Sequence, residues 1–177
     1  MGKMIYMKNS RDLVTGAMIA ALYAVLTIAF QPIGYGVVQM RISEALCILP
    51  FFTPSAVWGL FVGCVIANLF SPYGIVDVIF GSLATLLSAL CTYYIARKVS
   101  NQKLCLALLP LPPVIFNGLI IGALITFTSG VTSWLPVFAV TALQIAGEEA
   151  LSCYILGLIL LTILEKTKLF ESGRKLK

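Results

Sequence analysis

Four carboxylates and one arginine lie within apolar stretches of this sequence. Arg41 and Glu44 stand one helical turn apart, Asp77 begins a later apolar run, and Glu148 and Glu149 are adjacent in the last run. An ionised side chain in hydrocarbon costs roughly 2.5 to 3.5 kcal/mol, so such residues are kept as ion pairs or as a polar site. Even with Glu44 paired to Arg41, a site built from this set is rich in acceptors. It would suit a ligand that presents N–H donors or a positive amine.

Uncharged polar residues extend the candidate site. Gln144 lies four residues before Glu148 and shares its helix face, which favours a cavity lined by both. Glu149 points about 100° away from Glu148, so it is also explained by a bond to a neighbouring helix. Asn68 and Asn117 suit either a ligand contact or an interhelical hydrogen bond.

Four candidate residues keep two interpretations each. Arg41 and Glu44 either contact a ligand or pair with each other and hold the loop before them. Asp77 is explained equally well by the helix dipole, which favours a carboxylate at a helix N-terminus. Tyr35 suits stacking on a ligand ring or anchoring at the membrane interface.

Composition indicates where these residues must sit. Hydrophobic residues make up 60% of the chain and charged residues 11%, and mean hydropathy is +1.01. Charged residues make up about 25% of a soluble domain. The sequence therefore predicts an all-α integral membrane protein of the cell membrane, because backbone groups in lipid must bond within their own segment.

The same composition argues against several site classes. Histidine is absent, and the five cysteines show no CxxC spacing, so we expect neither a metal site nor a His general base. We expect no cofactor and no enzymatic activity. The net charge of +5 comes from Lys and Arg that flank apolar runs, which indicates membrane topology and no nucleic-acid partner.

Apolar runs predict a single membrane domain over residues 1–177 with six transmembrane helices. Their expected bounds are approximately 13–30, 42–52, 55–70, 75–96, 104–127 and 134–164. The GxxxG spacings at Gly59/Gly63 and Gly118/Gly122 predict close helix contacts. Pro110, together with the two prolines that follow it, predicts a kink or break in the fifth run.

The distribution of positive charge predicts the orientation. Every Lys and Arg except Arg41 lies near a terminus or in the 97–103 loop, so both termini should be cytoplasmic, N-in and C-in. Intramembrane polar residues then run from the outer surface to the midplane and stop. This pattern describes a pocket open to the outside, whereas a channel or a proton relay would need polar groups across the whole membrane.

Helix one carries two overlapping AxxxA spacings, Ala17/Ala21 and Ala20/Ala24, which form a smooth face for another helix. Packing within the bundle would explain this face equally well. A small six-helix, N-in protein with AxxxA on its first helix resembles the substrate-binding S component of energy-coupling factor (ECF) transporters. The RISEALC and IANLFSPYGIVDVIFGSLATL runs within residues 23–89, with the GEE run at 147–149, resemble the QueT family of queuosine-precursor S components.

The resemblance implies capture of a deazaguanine base, such as queuine or its cyano or aminomethyl precursor, from outside. Delivery inward would require a shared membrane coupling protein and two cytoplasmic ATPases. Independently, the chain has no GxxxxGK[ST] phosphate loop with which to use ATP itself. The resemblance makes the alanine face the docking surface, through Ala17 and Ala21 with Ala20 and Ala24 beside them, and makes the loop 31–39 a lid.

Ligand roles follow from the chemistry of the base. One carboxylate, Glu148 or Asp77, is expected to accept both N–H donors of the guanine edge. The carbonyl and ring nitrogens would meet the amides of Asn68, Asn117 and Gln144, and Tyr35 would stack on the ring. Three alternatives remain: another vitamin, a freestanding secondary transporter, or a membrane hydrolase or acyltransferase using Glu148 and Glu149. The last lacks both a GxSxG motif and histidine.

Overall fold

A computed structural model describes residues 9–31 and 41–167, and within those ranges every regular element is helical. We number the α-helices in chain order. They are α1 Ser10–Ala29, α2 Ser55–Asn68, α3 Ile75–Lys98, α4 Gln102–Leu108, α5 Leu111–Thr128, α6 Trp134–Ala150 and α7 Leu158–Thr167. A 3-10 helix, Ile42–Phe51, lies between α1 and α2, and a π-helical segment, Leu151–Gly157, joins α6 to α7.

Within the described ranges, four stretches are long and apolar enough to cross a membrane. They are α1, α3, the α4–α5 stretch Gln102–Thr128 and the α6–α7 stretch Trp134–Thr167. Large apolar side chains cover their outer faces, as Met18 and Leu143 do with 69% and 75% of their surface exposed. Such faces are stable against lipid, and the chain is a multi-pass membrane protein.

The second and third predicted helices are shorter than a full span. Residues 42–52 were expected to be an α-helix, but Ile42–Phe51 is a 3-10 helix that rises only about 20 Å at ~2.0 Å per residue. Helix α2 has 14 residues and rises about 21 Å. Both fall short of the ~30 Å hydrocarbon layer. The 3-10 helix is buried from Ser43 to Phe51, so it fills the interior of the bundle. The count of six spans stays a prediction.

Helix α2 packs against α1 through its two glycines, as the GxxxG spacing predicted. A Cβ on Gly59 would lie 2.6 Å from the Gly16 carbonyl oxygen, and one on Gly63 would lie 2.7 Å from the Ala20 carbonyl oxygen. Both contacts are with backbone atoms of α1, which cannot shift without moving the helix. Only hydrogen fits at these two positions, so the glycines set the distance between the helices.

Helices α5 and α6 form a second close pair. A Cβ on Gly118 would meet Ala146 Cβ at 3.1 Å, and one on Gly122 would meet Ala142 Cα at 2.9 Å. Small residues thus face each other on both helices. The predicted contact of this GxxxG spacing is confirmed.

Two interruptions in the long stretches shape the interior. The fifth predicted run is broken at Leu109 and Pro110, in agreement with its prolines. The sixth was expected to be one helix, but Leu151–Gly157 is π-helical. This wider segment lies against the 3-10 helix, where a Cβ on Gly157 would lie 3.4 Å from the Ala45 carbonyl oxygen.

Candidate functional site

Arg41 and Asp77 form an ion pair inside the bundle. Arg41 Nη2 lies 3.2 Å from Asp77 Oδ2, and the two side chains are 5% and 1% exposed. Of the two interpretations of Arg41 and Glu44, the one in which they pair with each other is corrected, because the Arg41 guanidinium contacts a carboxylate of α3. An ion pair between the 3-10 helix and α3 fixes two segments that are far apart in sequence.

Glu44 is held by hydroxyl and thiol donors. Its Oε1 accepts hydrogen bonds from the Tyr23 hydroxyl of α1 and from Thr85 Oγ1 of α3, the latter at 3.3 Å. Its Oε2 accepts from Cys47 Sγ at 2.9 Å. Both oxygens of this wholly buried side chain are thus occupied by the protein, and Glu44 ties the 3-10 helix to two long helices.

Asn68 approaches Asp77 from the end of α2. Its Nδ2 donates to the Asp77 backbone carbonyl at 3.0 Å and lies 3.3 Å from Cys64 Sγ. The approach depends on Gly81, because a Cβ at that position would lie 2.6 Å from Asn68 Nδ2. Asn68 therefore makes the interhelical bond expected of a buried asparagine.

Glu149 is bonded to a neighbouring helix. Asn117 Nδ2 of α5 donates to Glu149 Oε1 at 3.1 Å, and Cys153 Sγ lies 3.8 Å from Oε2. Glu149 is 2% exposed and Asn117 is 1% exposed. This is the arrangement predicted by the helix-bonding interpretation of Glu149.

Glu148 and Gln144 lie on one face of α6. Gln144 Nε2 donates to Glu148 Oε1 at 3.0 Å, as the four-residue spacing predicted. Glu148 is buried, whereas Gln144 lies at the surface of the bundle. The pair therefore forms the outer part of the candidate site.

The π-helical segment connects these groups to the 3-10 helix. Ser152 Oγ donates to the Arg41 carbonyl oxygen at 2.8 Å, and Cys153 Sγ lies 3.5 Å from the Glu44 carbonyl oxygen. The polar contacts run from α2 through α3 and the 3-10 helix to α6 and α5. They bring together the candidates Arg41, Glu44, Asn68, Asp77, Asn117 and Glu149. Gln144 and Glu148 bond to each other in the turn of α6 that precedes Glu149.

Two oxygens of this network have no hydrogen-bond partner in the described ranges. They are Asp77 Oδ1 and Asn117 Oδ1, and both are buried. An unpaired buried acceptor costs about 1–3 kcal/mol. Their positions indicate where a donor from a ligand would be stabilised.

The alanine face of α1 divides into two parts. Ala17 and Ala21 are exposed, so a further helix can reach them. Ala20 and Ala24 are each only 6% exposed, and Gly63 of α2 lies against the Ala20 backbone. The expectation that Ala20 and Ala24 belong to a docking surface is therefore corrected, because their side of the helix packs within the bundle.

Tyr35 and residues 32–39 of the predicted lid lie outside the described residues. Gln31, the first residue of the predicted lid, is described. Its Nε2 donates to the Phe70 carbonyl oxygen at 3.2 Å, and this bond joins the chain after α1 to the chain after α2. No group of three or more His, Cys, Asp or Glu side chains is placed to hold a metal ion in the same ranges.

The sequence analysis did not identify Tyr23, Gly81 and Thr85 as residues that contact the candidate side chains. The signal for two of them was present, since Asp77, Gly81 and Thr85 recur every four residues along one face of α3. Tyr23 gave no signal of this kind. A single tyrosine within an apolar helix resembles any other aromatic residue until its partner is known.

A family model described as "QueT transporter" matches residues 13–166. A curated relative named Queuosine precursor transporter QueT, from Lactococcus lactis subsp. cremoris (strain MG1363), is 43% identical over 84 residues. Those residues are 45% of this chain and 49% of the relative, so the match spans about half of either protein. No solved structure matches this chain.

Proposed function

The chain belongs to the QueT transporter family, and from this premise we propose that it is the substrate-binding S component of an ECF importer. It captures a queuosine precursor, a deazaguanine such as queuine or its cyano or aminomethyl precursor, from outside the cell. The name of the relative supports this substrate, although the matched part covers 49% of that protein.

The observation that carries the proposal is the convergence of buried acceptors in one region of the bundle. Asp77, Asn117 and Glu149 belong to three different helices, yet each lies in the same network of polar contacts. Carboxylates and amide oxygens accept the N–H donors of a guanine-like edge. Such a ligand would supply the donors that the two unpartnered oxygens lack.

The positions of the charges support capture from outside. Arg41 lies at the start of the 3-10 helix, whereas Arg97 bonds to the Pro50 carbonyl oxygen near the other end of that helix. Basic residues favour the cytoplasmic side, so the end marked by Arg97 and Lys98 is the inner one. The polar network then belongs to the outer half, with both termini inside and six membrane passes in a single domain.

In this proposal, partner proteins are needed to deliver the ligand into the cell. The sequence has no phosphate-binding loop, so ATP-driven import needs separate ATPases and a membrane coupling protein. Ala17 and Ala21 offer the coupling protein an exposed face of small residues on α1. Because the matched family is one of transporters, the hydrolase or acyltransferase alternative has lost its support.

Ligand binding to the purified protein in detergent tests the capture step. We expect one deazaguanine among queuine and its cyano and aminomethyl precursors to bind at submicromolar concentration. Guanine, thiamin and riboflavin serve as controls. If a vitamin binds and no deazaguanine does, the proposed substrate is wrong. If none of these compounds binds, the proposed capture function is contradicted.

A further inference from the structure

Asp77 differs from the other buried carboxylates because one of its oxygens is unoccupied. Its Oδ2 faces Arg41 Nη2 at 3.2 Å, while Oδ1 is buried and accepts no hydrogen bond in the part of the chain that the structure describes. Both oxygens of Glu44 and both oxygens of Glu149 have partners within the protein. A buried acceptor without a donor is costly, so Asp77 Oδ1 is a position where a ligand donor gives a large gain.

The surroundings of Asp77 select the chemistry of that donor. Arg41 supplies a positive charge on one side of this carboxylate, at Oδ2. The other oxygen can accept a hydrogen bond from an N–H donor, and such a bond to a carboxylate is stronger than one between neutral groups. Since Arg41 takes Oδ2, the ligand meets one oxygen and not two, in contrast to the bidentate contact expected from the sequence.

Gly81 leaves room for the Asn68 amide and for this oxygen beside it. A Cβ at position 81 would lie 3.0 Å from Asp77 Oδ1 and 2.6 Å from Asn68 Nδ2. A methyl group there would displace the Asn68 side chain and crowd the free oxygen. The glycine is required by these contacts, because α3 is regular at this position and its backbone needs no special conformation.

Resting on the proposed function, we propose that Asp77 Oδ1 is the acceptor that recognises the exocyclic amine of the deazaguanine, and that Gly81 is a positioning residue that lets Asn68 and Asp77 pack side by side without crowding this oxygen. Glu148, which the sequence favoured equally, accepts a bond from Gln144, and among the described residues neither of its oxygens is buried without a partner. Glu44 fixes the 3-10 helix and does not meet the ligand through its carboxylate.

A matched ligand pair tests the acceptor. The first ligand is the deazaguanine precursor that the wild-type protein binds, and the second is the same molecule with hydrogen in place of the exocyclic amine. Wild type should prefer the amine by roughly 10- to 100-fold, because a hydrogen bond to a charged group is lost in the second ligand. In Asp77→Asn this preference should fall about tenfold, since a neutral amide oxygen binds the amine more weakly.

A matched glycine pair tests the positioning role. Gly81→Ala should weaken binding of the precursor by about tenfold or more, because its methyl group crowds Oδ1. Gly147→Ala makes the same change in a helix, where a Cβ meets nothing within 4 Å, and should retain wild-type affinity. The two glycine variants test the proposal even if Asp77→Asn does not fold, because a change from Gly to Ala within a helix favours helix formation at either position.

The outcomes separate the two proposals. If wild type binds a deazaguanine while folded Asp77→Asn keeps the full preference for the amine, or Gly81→Ala binds as Gly147→Ala does, this inference is overturned and the proposed function stands. If wild type binds no deazaguanine, the proposed function fails and this inference fails with it.

Discussion

At the scale of single residues, the buried carboxylates differ in how many of their oxygens the protein itself occupies. Glu44 accepts from Tyr23, Thr85 and Cys47. Among the described residues, Asp77 accepts a bond from Arg41 with one oxygen, and its other oxygen has no partner. We infer that a fully bonded carboxylate stabilises the fold, whereas a half-bonded one has capacity left for a ligand.

Removing the Tyr23 hydroxyl should destabilise the protein. Tyr23→Phe takes a donor from Glu44, both side chains are wholly buried, and the expected loss is about 1–3 kcal/mol. The control is Tyr94→Phe, the same chemical change at a side chain that is 50% exposed. Thermal unfolding in detergent measures both, and equal melting temperatures for the two variants would contradict this role of Glu44.

At the scale of elements, the bundle depends on helices that approach closely and on two segments that are not α-helical. Gly63 lets α2 reach the α1 backbone at Ala20. The π-helical segment lets Ser152 reach the Arg41 carbonyl oxygen. These contacts determine where the polar side chains meet.

Gly63→Ala should separate α1 from α2. The added Cβ would lie 2.7 Å from a carbonyl oxygen and 2.9 Å from Tyr23 Cβ, so the helices must shift at a cost of about 1–3 kcal/mol. Gly147→Ala, which meets no atom within 4 Å, should leave the melting temperature unchanged or raise it. A melting temperature for Gly63→Ala at or above that of wild type would show that this contact is not tight.

Ser152→Ala should cost more stability than Ser88→Ala. Both hydroxyls are wholly buried and donate to a backbone carbonyl at 2.8 Å, but Ser88 bonds within its own helix and Ser152 bonds to the 3-10 helix. Loss of the second bond leaves the 3-10 helix less firmly held, and we expect a difference of about 1 kcal/mol. Denaturant unfolding compares the two variants, and the reverse order would argue against a role for the π-helical segment in holding Arg41.

At the scale of the whole molecule, the proposed import function makes binding and delivery separable. In that proposal, the ligand binds to the polar network inside the bundle, and the coupling protein docks on a face of α1 that includes Ala17 and Ala21. The two regions lie on different sides of α1, because Ala20 and Tyr23 face the interior. Changes to one region should therefore spare the other.

Replacing both Ala17 and Ala21 by Leu should abolish uptake and preserve ligand affinity. Large side chains on the exposed face keep a partner helix at a distance. Ala139→Leu, at an exposed alanine of α6, is the control and should support normal uptake. Uptake by cells that contain the coupling protein and ATPases, measured beside ligand binding to the purified variants, separates the two effects. Normal uptake by the double variant would show that Ala17 and Ala21 are not part of the docking surface.

The orientation can be tested on the same chain. A reporter that is active only in the cytoplasm should be active when fused to the C-terminus, because basic residues cluster there and favour the inner side. A reporter that is active only outside should be silent at that site. The opposite pattern would place the polar network on the cytoplasmic side and contradict capture from outside.

Several properties followed from the sequence alone. Apolar composition requires helices in lipid, GxxxG spacing predicts close packing, and both signals are local. The resemblance to the QueT family also came from the sequence, and the family match confirms it. Polar residues in apolar runs are rare, so the sequence also named most members of the network.

Only the tertiary structure decided which of these residues meet. Arg41 and Glu44 are three positions apart, yet Arg41 pairs with Asp77 of α3 and Glu44 bonds to Tyr23 of α1. Helical spacing predicts partners on one helix, while contacts between helices depend on their rotation and depth. The rotation and depth are set by Gly59, Gly63 and Gly81, and by a 3-10 helix whose conformation the sequence did not reveal, so the partners of the buried charges are a property of the packing.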